Sequence, residues 1–524
     1  MSLARHGAPS DTVYSMITDE LDLDGRPNLN LASFVNTYLD PNARSLLTSN
    51  LAKNLADNDE YPALLSFSTR CVSILANLWN ASPSQTAVGS PTVGSSEAIH
   101  LAGLSLKRRW QARMKSQGKN IHDPGPNIIM GSNAQVALLK FARYFEVEAR
   151  VLPVSEKSNF CLDPEAVREN VDENTIGVFV ILGSTYTGHY EPVERVCEVL
   201  DEVEREKGWG VDVHVDAASG GFVAPFAYAG AGQKWNFELP RVKSINVSGH
   251  KYGLVTPGIG WIVWRDEKYL PEELIFELHY LGGTEKSYTL NFSRPGAQVV
   301  VQYYNLIHLG FGGYREIMEN CLANARVLSR ALEQTGWYKC VSDIHRPVNN
   351  NNNNNISNVA GKIKSAVEGA INEGQEEKET SAGYTPGLPV VSFRFADEFK
   401  REFPHIKQED VSLLLRARQW IIPNYALPPS ENHTEILRVV IRESMSFDLL
   451  DRLVTDIIQV TEQLIDHDEV DLSIIRKQSR QRHPNRKKDR EEKQQGKDQK
   501  KESVKEKVED GAKRLERGIH RSVC

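Results

Sequence analysis

The chain has 524 residues, 40% hydrophobic and 25% charged, the make-up of a globular protein with room for two or more domains. Its longest apolar stretch, IGVFVIL at 176 to 182, falls far short of the roughly 20 residues of a membrane span, and MSLARHGAPSDTVYS lacks a signal-peptide core, so no membrane association and a cytoplasmic location are expected. The net charge of −7 hides an asymmetry: residues 474 to 524 carry 18 Lys and Arg against 9 Asp and Glu, leaving 44 against 60 elsewhere, which argues against a nucleic-acid-binding body.

Residues 1 to 60 are polar and helix-like, and YPALLSFSTRCVSILANLW at 61 to 79 reads as a long buried helix. From 85 to about 265, helical patterns alternate with short β-branched runs: PNIIMG, ARVLPV, TIGVFVILG, VDVHVD, VKSINVS and GIGWIVW. That alternation predicts a largely parallel α/β sheet. A long helix follows near 296 to 335, and GLPVVSFRFADEF, QWIIPNYAL and EILRVVIRESM then predict strands of a smaller α+β domain closed by a helix in SFDLLDRLVTDIIQVTEQLIDH. The expected organisation is an N-terminal segment (1–60), a large domain (61–315), a small domain (316–468) and a charged tail (469–524). Within the small domain, the asparagine run and the Glu/Gly/Ser-rich stretch at about 349 to 384 lack the apolar content for a core and read as a surface insertion. Six scattered cysteines show no metal-site or redox-dithiol spacing, so no metal is expected.

Three stretches carry chemistry. In SGHKYG (248–253), Lys251 follows a strand, where a buried ammonium is costly unless paired or neutralised. A Schiff base with an aldehyde cofactor is one solution and a surface loop lysine the bland one. In HVDAASGGF (214–222), Asp216 ends another strand, followed by small residues on which a flat ring could lie; a pyridine nitrogen needs such an acid to stay protonated, although a strand-end Asp also caps turns. In PTVGSSEAIHLAG (91–103), Gly94, Ser95 and Ser96 open a helix, a natural phosphate site, although Ser followed by Glu97 is also ordinary capping. The three together, in this order on a parallel α/β pattern, favour pyridoxal phosphate over the separate bland readings.

With GSSEA, KFARYFEVE, DENTIGV, TYTGHYE, HVDAASGGF, LPRVKSINVSGHKYGL and NFSRPGAQV all present, the sequence resembles the glutamate decarboxylases of bacteria, plants and fungi over about residues 20 to 460. The resemblance implies a fold-type I, aspartate aminotransferase-like α/β enzyme, with a mostly parallel seven-stranded sheet in the large domain and a smaller C-terminal α+β domain. It implies pyridoxal 5'-phosphate as cofactor, with Ser95, Ser96 and His250 at the phosphate, Gln135 over the ring, Thr185, Asp216 and Ala218 on the pyridine side, and Lys251 as the Schiff-base lysine. Ser293 matches a residue that reaches the phosphate from a neighbouring subunit, which implies at least a homodimer, or a hexamer, with shared active sites.

For L-glutamate, the resemblance implies a distal-carboxylate pocket of Ser33, Phe34 (chiefly its backbone), Asn54 and Asp57, with Arg438 at the α-carboxylate. An acid such as Asp57 beside a substrate carboxylate is repulsive unless one of the two is protonated, so binding should improve at mildly acidic pH. The resemblance implies a catalytic, proton-donor role for Tyr280 in the family's mobile loop, although TEKSYTL departs from the bacterial wording there. The implied reaction releases carbon dioxide and protonates Cα to give 4-aminobutyrate.

In the tail, Val504, Val508, Ala512, Leu515, Ile519 and Val523 form one helical stripe flanked by basic residues. Plant members of the family bind calmodulin through such an extension; the absence of Trp and the several acids here favour a solvated or self-docking helix. Competing readings are another pyridoxal-dependent decarboxylase or lyase, which would replace Asn54, Asp57 and Gln135, and a catalytically dead scaffold, against which Lys251, Asp216 and Arg438 together speak.

Overall fold

The computed structural model describes residues 3–57, 59–229, 233–278, 285–348 and 380–466. Its main sheet has seven strands: β1 (Val88–Thr92), β2 (Asn127–Gly131), β3 (Glu148–Leu152), β4 (Thr175–Ile181), β5 (Asp212–Asp216), β6 (Val242–Val247) and β7 (Gly260–Trp264), in the order β1-β7-β6-β5-β4-β2-β3. Strands β3, β2, β4, β5 and β6 pair in parallel, and β7 runs antiparallel to both β6 and β1. The sheet is thus mostly parallel, as expected. Every residue of β2, β4 and β7 is buried, and a strand shielded on both faces reads as a nearly continuous apolar run; the two polar exceptions, Asn127 and Thr175, hydrogen-bond to each other.

Strand β1 was not legible in the sequence. VGSPT has almost no strand-like composition, and a proline is tolerated there because β1 is an edge strand.

Helices α1 (Ser10–Leu21) and α2 (Pro41–Ser49) lie in the N-terminal segment, and α1 buries none of its residues. The long helix expected after residue 61 is α3 (Pro62–Leu78), which buries Leu64, Cys71 and Leu75. Helices α4 (Ser95–Ser116), α5 (Val136–Tyr144), α6 (Pro164–Asn170), α7 (Val193–Lys207) and α8 (Ala224–Ala227) follow within the main sheet's span. Helix α7 shows why such segments fold: Val193, Val196, Cys197, Leu200 and Val203 make one buried stripe, and Gly208 at φ 74° ends the helix.

The strands β8 (Phe276–Leu278) and β9 (Glu285–Ser287) form a separate hairpin. Helix α9 (Ala297–Gln334) comes next and is broken at Gly310, whose φ of 56° and ψ of −165° are open to glycine.

The second sheet is antiparallel, with β10 (Tyr338–Cys340), β11 (Val390–Phe395), β12 (Asn424–Ala426) and β13 (Glu435–Val440) in the order β10-β11-β13-β12. Helices α10 (Asp397–Glu402), α11 (Gln408–Ala417) and α12 (Phe447–Asp466) complete the described chain. Two positions assigned to the insertion by composition, Ser381 and Tyr384, are buried, Ser381 on Arg326 and Glu319. The rest of the insertion (349–379), Tyr280 and the tail from 467 onward lie outside the described residues.

The segment joining α1 to α2 fixes the site. Ile421 N donates to Leu29 O (3.0 Å) and Val440 N to Leu31 O (2.9 Å), so the segment is stitched to the small sheet. Asn36 N then donates to His250 O (2.9 Å), tying the same segment to the loop after β6.

Candidate active site

Strands β4, β5 and β6 end together, and the loops leaving them surround a cavity of about 330 Å³. Ser95, Ser96, Gln135 and Thr185 line it, facing Asp216, Ala218, His250 and Lys251. Eight residues singled out in the sequence therefore share one cavity. A larger cavity, of about 980 Å³, contains none of the residues expected at the site.

The phosphate end is a helix terminus. No side chain caps α4, whose N-cap is Gly94, so the amides of its first turn are left open to the cavity. Glu97 does not make the capping box that its position suggested. Its Oε2 accepts from Val93 N (2.8 Å) and its Oε1 from Asn291 N (3.1 Å), so it ties the residue before the helix to the segment between β9 and α9. The Ser95 hydroxyl pairs with that of Ser248, a contact absent from the sequence reading although Ser248 opens the SGHK motif.

Gly260 packs beneath this loop. A Cβ there would lie 2.6 Å from Gly94 C and 2.8 Å from Ser95 N, closer than backbone atoms tolerate. The His250 ring donates Nδ1–H to Ile259 O (2.9 Å), and burial pulls its pKa down, partly offset by that hydrogen bond.

The opposite end carries the acid. Asp216 is 4% exposed, and its Oδ1 accepts from Ala218 N (3.1 Å) and Asn246 Nδ2 (2.9 Å). Its Oδ2 takes no hydrogen bond among the described residues. A carboxylate with one oxygen anchored and the other open, lining a cavity whose far end is an uncapped helix terminus, matches the two ends of a phosphorylated pyridine. The residues present fit pyridoxal phosphate.

Lys251 donates to Ser219 Oγ (3.1 Å), and burial lowers its pKa, with Asp216 opposing and Arg438 adding to the shift. Its Nζ lies 5.2 Å from the centroid of the Phe34 ring, and the Arg438 guanidinium is also 5.2 Å from that ring. The lysine and the arginine thus share the Phe34 ring. Arg438 Nη1 donates to Thr185 O (2.8 Å), Nη2 donates to Ala32 O, and Nε is buried without an acceptor. No carboxylate pairs with Arg438 among the described residues, so a nearly buried cation next to Lys251 lacks a protein counter-ion.

The remaining expected residues gather elsewhere. Asn54 Nδ2 approaches Asp57 Oδ1 (3.3 Å) and Ser293 Oγ (3.4 Å), and its Oδ1 accepts from Arg294 N (3.0 Å). None of the three lines the Lys251 cavity, and Ser293 is exposed. Ser33 is half-buried, its hydroxyl accepting from Val35 N (3.1 Å). Gln135 turns its Oε1 to Ala137 N (2.7 Å), capping α5. Far from the cavity, Glu333, Cys340 and His345 bring ligand atoms within 4.8 Å of one another, but Glu333 is already held by Arg346 (2.6 Å) and His345.

The chain is similar to known proteins in sequence and in fold. Residues 9–348 match the pyridoxal-dependent decarboxylase conserved domain. The chain is 47% identical to a glutamate decarboxylase of Saccharomyces cerevisiae, over 88% of this chain and 79% of that protein, and 46% identical to one of Petunia hybrida, over 87% and 81%. Its fold is similar to a solved Lactobacillus brevis glutamate decarboxylase, with a TM-score of 0.77 and 35% identity over 88% of this chain and 95% of that one. A Burkholderia pseudomallei sphingosine-1-phosphate lyase, 18% identical with a TM-score of 0.66 over 90% and 97%, shares the fold alone. An uncapped helix start, an anchored aspartate and a buried lysine around one cavity, in a chain this similar to known decarboxylases, place it in the glutamate decarboxylase family of pyridoxal-dependent decarboxylases.

Proposed function

We propose that this enzyme removes the α-carboxylate of L-glutamate at the Lys251 cavity, giving 4-aminobutyrate and carbon dioxide. The observation that carries the reading is the Arg438 guanidinium without a counter-ion, sharing the Phe34 ring with the lysine in a chain of this family.

When bound, pyridoxal phosphate supplies an aldehyde for an amine to condense with and a ring that takes up the electron pair left as carbon dioxide departs. The protein's part is binding and orientation. The first turn of α4, with the Ser95 and Ser96 hydroxyls and His250, would hold the phosphate. Asp216 would offer Oδ2 to the ring nitrogen, while Ala218, Thr185 and Gln135 bound the space around the ring. Burial favours the neutral amine of Lys251, the form that condenses with a carbonyl. Arg438, fixed by Ala32 and Thr185, would hold the α-carboxylate so that the bond to be broken stands across the ring plane.

Asn54 and Asp57, both partly buried, and the exposed Ser293 form a cluster that does not line this cavity, which favours their serving the site of a second copy, with Ser33 and Phe34 on the home side. Among the described residues no helix is long and apolar enough to cross a membrane.

The test is carbon dioxide release by the purified holoenzyme from glutamate, aspartate and tyrosine. Release from glutamate well above the other two supports the reading; no preference for glutamate overturns it.

A further inference from the structure

Below the cavity, strands β5 and β6 carry a line of polar side chains on one face. The parallel register sets His214 beside Ser244 and Asp216 beside Asn246. The alternate positions, Val213, Val215, Ile245 and Val247, belong to the apolar core. His214, Asn246 and Ser244 are buried, and the Phe179 ring meets His214 edge-on at 5.3 Å. Polar groups in such a place are costly unless each finds a partner.

They do, and in one direction only. Asp216 Oδ1 can only accept, so the Asn246 group 2.9 Å away must be its NH2. The Asn246 carbonyl oxygen then faces His214 Nε2 at 2.7 Å, so that nitrogen must carry a hydrogen. A neutral imidazole has its lone pair on Nδ1, which accepts from the Ser244 hydroxyl at 2.8 Å. Burial drives the pKa of His214 down to about 4, so the ring is neutral at physiological pH.

We propose that His214 and Asn246 are positioning residues for the cofactor. With Ser244 they form a polarised hydrogen-bond chain that pins Oδ1 of Asp216 and leaves Oδ2 as the oxygen facing the ring nitrogen. The proposal rests on the reading that Asp216 meets that nitrogen. If the chain is broken at His214, the Asn246 amide is free to turn, and its oxygen then opposes the carboxylate instead of holding it.

The test uses holoenzyme reconstituted with pyridoxal phosphate carrying ¹⁵N in the ring, whose chemical shift reports ring protonation. Cofactor affinity is measured alongside by equilibrium dialysis. Asp216→Asn should move the signal to that of an unprotonated ring; if it does not, the reading of Asp216 fails and the proposal with it. His214→Phe should move the signal part of the way and weaken cofactor binding about tenfold, the order expected for one hydrogen bond to a charged group. His214→Gln, which restores an N–H donor towards Asn246, should recover most of both. Wild-type signal and affinity in His214→Phe, with Asp216→Asn shifted, would overturn the proposal and leave the reading of Asp216 standing. Should His214→Phe fail to fold, Ser244→Ala removes only the hydroxyl that sets the tautomer. A smaller shift in the same direction supports the proposal, and an unchanged signal overturns it.

Discussion

Replacing Arg438 by lysine keeps the positive charge and removes the planar fork. In the structure both ends of that fork are anchored and its Nε is left without an acceptor: one NH2 group is on Thr185 O at 2.8 Å, the other is on Ala32 O, and the ring centroids of Phe34 and Tyr425 lie 5.2 and 5.7 Å from the guanidinium carbon. A single ammonium can reproduce the charge but not both anchors and a paired contact to a carboxylate. The loss of one charge-assisted hydrogen bond is worth about 2 kcal/mol, which corresponds to a fall of about 30-fold in kcat/KM for glutamate. The control is built into the reaction, because 4-aminobutyrate lacks the carboxylate that Arg438 is proposed to hold. As a competitive inhibitor it should bind the variant within about twofold of wild type. Steady-state kinetics with glutamate and inhibition by 4-aminobutyrate test this on the same preparation. Equal losses for both molecules would refute the assignment and make Arg438 a support for the 29–36 segment only.

Four further outcomes follow from named contacts. Lys251→Ala should abolish turnover and the visible absorbance of the bound cofactor together, read by spectrum and by carbon dioxide release. Gly260→Ala would press a Cβ against Gly94 and Ser95, and should weaken cofactor binding about tenfold in an absorbance titration while the far-ultraviolet circular dichroism is retained. Glu191, buried between Asn133, Leu162 and Ile181, has its pKa pushed up to about 7, chiefly by burial. Its stabilising contribution is therefore present below the ordinary carboxylate value and is lost as pH rises through about 7. In denaturation measured from pH 4.5 to 7, Glu191→Gln should make stability rise with pH by up to about 1.4 kcal/mol more per pH unit than wild type; an unchanged slope would contradict it. Mixing inactive Lys251→Ala and Asn54→Ala chains should restore about a quarter of wild-type activity if active sites are shared between copies, and none if they are not.

The central strands were legible because burial on both faces leaves runs such as TIGVFVI with no other reading. Strand β1 was not, since an edge strand can be built from VGSPT when its neighbour supplies the register. Lys251, Asp216 and the serines could be placed because each sits where a strand ends or a helix begins, and such boundaries leave local signals. Ser219 and Ser248 lay within quoted motifs, but nothing local showed that they would meet Lys251 and Ser95. His214 and Asn246 face each other only through the register of β5 and β6, which no single stretch of sequence records. The separation of Asn54, Asp57 and Ser293 from the cavity likewise depends on how distant loops pack.

The most direct test of the whole account is borohydride reduction of the purified holoenzyme followed by peptide mass spectrometry. Reduction without substrate should leave a pyridoxyl group on Lys251. Reduction during turnover should free Lys251 and yield the cofactor linked to glutamate or 4-aminobutyrate. A pyridoxyl group on another lysine, or one that glutamate fails to displace, would contradict the account.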